Sequence, residues 1–153
     1  MSQRPDIAVP LPATPADTAV RCGVDVVSIE RIERLLDEFD SSFKDRVYAT
    51  IEQRYCEQQG DPPQHYAARW AVKEAFMKAV PTDALPIPFR TIAVIRPDDQ
   101  PRLILNGKAE TAIAMIGADG DRDGSVETAV SLSHDRHADR AIGQVVLLTD
   151  RPQ

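Results

Sequence analysis

The chain has 153 residues, a formal net charge of −6 and a pI near 5.0. That is one domain of ordinary size, able to bury a core without staples, and its acidic balance excludes nucleic acid as the main partner because phosphate-backbone binding needs a basic surface. Cys22 and Cys56 lie in unlike contexts with no CxxC spacing, so reduced core thiols are expected instead of a disulfide or zinc framework. No apolar run is long enough to span a bilayer and no basic-then-apolar secretory layout opens the chain, so a cytoplasmic protein with no membrane partner is expected.

Residues 1–18 hold four of the twelve prolines and few large apolar side chains, the composition of a disordered leader; the folded domain is expected over 19–150. Val20 to Val27 is β-branched with one acid, Asp25, set in it, and reads as a strand. Ser28 can cap a helix in which Ile29, Ile32, Leu35, Leu36 and Phe39 recur at helical spacing, ending near Asp40. Thr50 with Gln53 fits a capping box for a second helix over 51–59, stopped by Gly60 and the Asp61-Pro62-Pro63 break. A long Ala-rich helix then runs from about Gln64 to Pro81.

Beyond Pro88 the period changes from helical to extended. Residues 91–96, 102–106, 126–132 and 141–149 read as strands, with 97–100 as a hairpin turn, and 108–116 as a helix. The segment 118–125 (ADGDRDGS) lacks the ligand order and terminal Glu of a calcium loop and reads as a polar turn. Early helices and late antiparallel strands make an α+β domain, an antiparallel sheet on a long central helix.

That helix gathers Arg69, Lys73 and Lys78 about the lone carboxylate Glu74. Glu74 and Lys78 are four apart and share a face. The residues alone allow two readings. One is a solvated helix with an intrahelical ion pair; the other is an anion site, with Lys and Arg for phosphate and Glu for a divalent metal that the phosphate shares.

Three blocks in order, Gly23 to Val27 with Ile29 to Ile32, Ala67 to Ala79, and Val130-Ser131-Leu132-Ser133-His134, closely resemble the signature of the holo-acyl-carrier-protein synthases. These are the compact class of 4′-phosphopantetheinyl transferases. Phe43, Arg46, Glu52 and Cys56 follow the same phrasing, so the resemblance covers roughly 22–148. It implies transfer of the 4′-phosphopantetheine arm of coenzyme A to a serine of an apo acyl carrier protein, of fatty-acid or polyketide synthesis, with Mg²⁺ and release of adenosine 3′,5′-bisphosphate. It implies Asp25 and Glu74 as metal ligands, and Asp25, Glu74 and Lys78 as the catalytic group, with Glu74 the favoured base. Arg69, Lys73, Lys78, Ser133 and His134 are the expected coenzyme contacts. A homotrimer with sites between subunits is also implied, a state to which the small-residue face of the central helix would contribute.

Two departures stand out. Val80-Pro81-Thr82-Asp83 replaces the family's usual Gly-Thr-Gly turn, and the first helix, the family's carrier contact, bears Glu30, Glu33, Asp37 and Glu38 beside Arg31 and Arg34. They leave room for a non-catalytic carrier-binding or assembly module, and the two carboxylates also suit a metal-dependent nucleoside pyrophosphate hydrolase.

Overall fold

The computed structural model describes residues 18–81, 86–117 and 125–150. The proline-rich leader up to residue 17, the Thr82-Asp83 turn and the polar turn at 118–124 lie outside them. In chain order the elements are β1 (Thr18–Val27), α1 (Ile29–Val47), α2 (Thr50–Glu57), α3 (Pro62–Ala79), a 3-10 turn (Phe89–Thr91), β2 (Ile92–Ile95), β3 (Arg102–Leu105), α4 (Gly107–Gly117), β4 (Val126–Asp135) and β5 (Arg140–Asp150). β5 runs antiparallel between β1 and β4, while β2 and β3 form a separate antiparallel hairpin. The α+β expectation holds.

Boundaries moved where local chemistry competes. Thr18, assigned to the leader, pairs with Asp150 as the first residue of β1. α1 does not stop near Asp40; that residue adopts φ 40° and bends the chain, and helix resumes to Val47, since Asp tolerates positive φ better than most residues. The Thr50–Gln53 capping box is not formed. Ala49 is the cap residue, Glu52 accepts from its amide at 2.8 Å, and Gln53 donates instead to Asp45 and the Tyr48 carbonyl. Pro62 and Pro63, read as a break, begin α3, where their missing N–H groups cost nothing.

α3 lies across one face of the three-stranded sheet, and the alternation of β1 and β5 is set by that contact. Gly23, Val27, Ala141, Gly143, Val145 and Leu147 are buried against it. A methyl at Gly23 would overlap the Ala75 carbonyl oxygen, and one at Gly143 the Val72 amide nitrogen. The alanines at 67, 68, 71, 75 and 79 are all buried within the chain, so the small-residue face brings helix and sheet together and is not free to join subunits. The opposite sheet face is apolar and uncovered: Val20, Val24, Val26 and Ile142 are 58%, 55%, 53% and 43% exposed. Cys22, expected in the core, is exposed on that face, while Cys56 is buried.

Candidate active site

The alternation that buries Gly23 also turns Asp25 toward α3, where Glu74 and Lys78 stand one turn apart. Lys78 Nζ donates to Asp25 Oδ1 at 2.8 Å and to the Val24 carbonyl at 3.0 Å. Of the two readings that spacing allowed, the intrahelical pair with Glu74 gives way to this bond across to the strand. The Asp25 side chain is 20% exposed and Lys78 is its cation. The Glu74 carboxyl is pushed above its ordinary range by burial and then by Asp25, against the opposing pull of Lys78 and Arg31. A carboxyl whose ionisation a neighbouring carboxylate opposes suits a divalent ion. Among the described residues no group of three or more His, Cys, Asp or Glu converges. The pair therefore fits Mg²⁺, which takes one or two carboxylates and completes its shell with water and phosphate oxygens, and does not fit a closed all-protein metal site.

A second, basic centre lies at the N-terminal half of α3. Tyr55, His65, Arg69, Arg96, Ser133 and His134 line a cavity of about 300 Å³ whose lining, among the described residues, contains no carboxylate. Arg69 is only 3% exposed. Its guanidinium lies over the Tyr55 ring at 4.1 Å, Nη1 donates to the His65 carbonyl at 3.3 Å, and Nε has no hydrogen-bond partner among the described residues. A buried guanidinium N–H left unpaired is costly, and a guanidinium in the cavity wall suits an anionic acceptor. His65 and His134 meet edge to face with centroids 4.8 Å apart. Burial first, then His134 and Arg69, lower His65 to about 4.

Lys73, expected at the coenzyme, is not there. Its side chain is fully buried, and its three N–H donors are taken by Glu52 at 2.8 Å, by the Phe89 carbonyl at 3.0 Å and by the Ile92 carbonyl. Burial outweighs the attraction of Glu52 and holds the ammonium below its ordinary range. Glu52 accepts in addition from the amides of Ala49 and Val94. The pair thus joins α2, α3 and β2 from inside, one residue before the catalytic candidate Glu74.

The predicted residues form two groups within one chain. Asp25 on β1 and Leu132 on β4 both pair with Gly143 of β5, which puts the two outer strands about 10 Å apart across β5. Asp25, Glu74 and Lys78 gather at the β1 edge; Arg69, Ser133 and His134 gather at the β4 edge. His65, Tyr55 and Arg96 were missed from the sequence. His65 alone left a trace, standing four residues before Arg69 and so on the same helix face. The first helix is also less acidic than its sequence, because Glu33 is held by Arg136 through both carboxylate oxygens at 2.8 Å.

Residues 21–130 match the family model of the 4′-phosphopantetheinyl transferase superfamily. The chain is 37% identical over 118 residues to the holo-[acyl-carrier-protein] synthase of Gloeobacter violaceus, covering 76% of this chain and 84% of that one. It is 37% identical over 128 residues to that of Syntrophus aciditrophicus, covering 82% and 92%. Among solved structures, the ACPS–CoA complex of Chronobacterium ammoniagenes superposes with a TM-score of 0.68 at 30% identity, over 87% of this chain and 99% of that one. The holo-[acyl-carrier-protein] synthase of Neisseria meningitidis superposes with 0.69 at 28% identity, over 83% and 96%. A family-model match over residues 21–130 and relatives 37% identical over most of its length show that this chain belongs to the 4′-phosphopantetheinyl transferase superfamily and, within it, to the holo-[acyl-carrier-protein] synthases.

Proposed function

We infer that this protein transfers the 4′-phosphopantetheine arm of coenzyme A to a serine of an apo acyl carrier protein and releases adenosine 3′,5′-bisphosphate. The observation that carries this reading is the convergence of Asp25, Glu74 and Lys78 from β1 and α3 in a chain of this family. Attack of a serine hydroxyl on the β-phosphorus of a pyrophosphate requires alignment, charge neutralisation and removal of one proton. Lys78 has two of its three donors on Asp25 and Val24, which fixes its ammonium and leaves one N–H for a phosphate oxygen. Glu74, whose carboxyl is held above the ordinary range, is the group that accepts the serine proton. Asp25 and Glu74 would hold Mg²⁺, which supplies neutralisation of the pyrophosphate when bound.

The cavity of Arg69, Ser133 and His134 takes the nucleotide and its phosphates. Because one chain separates it from Glu74 by the width of the sheet, the complete site is assembled from neighbouring copies in a homotrimer. The support for this is the uncovered apolar sheet face of Val20, Val24, Val26 and Ile142, a contiguous patch of the kind that marks an interface. Val24→Asp is expected to give a folded monomer by light scattering, with transfer lost. A wild-type protein that is monomeric at micromolar concentration would remove the shared site.

Incubation with coenzyme A, Mg²⁺ and an apo carrier, followed by weighing the carrier, tests the reaction. A gain of one phosphopantetheine is expected. Carrier bound without gain would indicate an assembly module, and breakdown of coenzyme A without carrier would indicate a hydrolase. Asp25→Ala and Glu74→Gln are each expected to abolish the gain while the fold persists.

A further inference from the structure

The basic cavity contains a residue whose chemistry the reaction has not yet used. His65 projects from α3 between the Tyr55 ring, 5.8 Å away, and the His134 ring, 4.8 Å away, meeting both edge to face. Both histidines and Arg69 line the same cavity, and the Arg69 Nε is buried without a hydrogen-bond partner among the described residues. An imidazole in this position confronts two conflicting demands. Without a ligand, burial above all, and then the neighbouring His134 ring, Arg69, and Arg96 at the end of β2, oppose a proton on His65, while Asp61 at the start of α3 favours one. A phosphate dianion beside Arg69 reverses the balance, because a close anion favours the charged imidazole and supplies the acceptor that it needs.

We propose that His65 is a further phosphate-binding residue of this site and that it takes up a proton when an anionic phosphate enters beside Arg69. The proposal rests on the reading of the cavity as the nucleotide and phosphate pocket. One proton moves from solvent to the imidazole, and the bound state gains an imidazolium–phosphate pair; no covalent bond changes. The free ring, held near 4, is neutral at physiological pH, so unoccupied cavities do not accumulate a third cation beside Arg69 and Arg96. By linkage, affinity then rises as pH falls below the bound-state pKa of His65, approaching tenfold per pH unit for one proton taken up.

The test is calorimetric titration of the full-length protein with adenosine 3′,5′-bisphosphate, and separately with coenzyme A, between pH 5.5 and 8 in two buffers of different ionisation enthalpy. His65→Phe retains a flat ring between Tyr55 and His134 without the nitrogens; His65→Gln retains a donor without a titratable group. Protonation of the ligand's own phosphate is common to all three proteins and cancels in the comparison. At the acid end the wild type is expected to take up more protons per ligand than either variant, by as much as one. Its affinity advantage over them is expected to widen at least tenfold from pH 8 to pH 5.5. Equal proton counts and a pH-independent affinity ratio, with binding intact, would overturn the role of His65 and leave the pocket assignment standing. If the wild type binds neither ligand, both fall.

Discussion

The buried Lys73–Glu52 pair makes the most direct claim about how this fold holds its site. Lys73→Met removes the ammonium and leaves Glu52 a carboxylate with no counter-charge at zero solvent exposure, and the carbonyls of Phe89 and Ile92 without their donor. Breaking a buried pair by removing one partner costs about 3–5 kcal/mol, against a total stability of roughly 5–15 kcal/mol for a domain. At about 2–4 °C per kcal/mol for a chain of this size, the midpoint of thermal unfolding should fall by about 6–20 °C, compared at one fixed protein concentration because assembly shifts it. The double variant Lys73→Met/Glu52→Leu should recover part of the loss, giving a coupling energy of about 1–3 kcal/mol. Recovery stays incomplete because the amides of Ala49 and Val94 also lose their acceptor. At 20 °C, where the variant is still folded, its KM for coenzyme A should stay within about threefold of wild type, because all three donors of Lys73 point into the core. A Lys73→Met protein with an unchanged midpoint and a KM raised tenfold or more would refute this reasoning and return Lys73 to the coenzyme.

Lys78→Ala should lower transfer by about one and a half to three decades, the equivalent of about 2–4 kcal/mol for a charge-assisted contact in a water-poor site. Rate against Mg²⁺ concentration should show no rescue for it, whereas excess Mg²⁺ or Mn²⁺ should partly restore Glu74→Asp; equal rescue of both would make Lys78 an organiser of the carboxylates only. Gly143→Ala sets a methyl against the backbone of Ala71 and Val72 and should cost at least about 1–3 kcal/mol of overpacking in thermal unfolding, while Gly60→Ala, with nothing within 4 Å, is the control expected to change little. In the ligand-free protein, His65 lies near 4 when folded against an ordinary 6.5, so the unfolded chain binds the extra proton. The stability tied to this group is complete above pH 6.5 and drains away as pH falls toward 4, and His65→Phe should flatten the unfolding midpoint over that window; parallel curves for the two proteins would contradict it.

Much of the fold was legible in the chain because period and punctuation agree with burial. The alternation around Gly23 and Asp25, the helical recurrence from Ile29 to Leu36 and the alanine spacing of α3 each name a face that must be covered, and covering all three leaves few arrangements. The signature blocks likewise placed Asp25, Glu74 and Lys78 before any geometry was known. Spacing could not say which partner a long side chain reaches. Spacing allowed Lys78 a pair with Glu74, and it bonds Asp25, 53 residues away in sequence. Lys73 was expected at the coenzyme, yet Glu52 and two main-chain carbonyls draw it inward. His65 carried almost no signal, since its meaning depends on His134 arriving from β4 and on Tyr55 arriving from α2. Local sequence determines which face of an element is apolar, because that depends only on the period of the backbone. Which polar groups meet across the core is decided when β5 inserts between β1 and β4 and α3 closes on the sheet, and only that packing separates a carboxylate edge from a basic one.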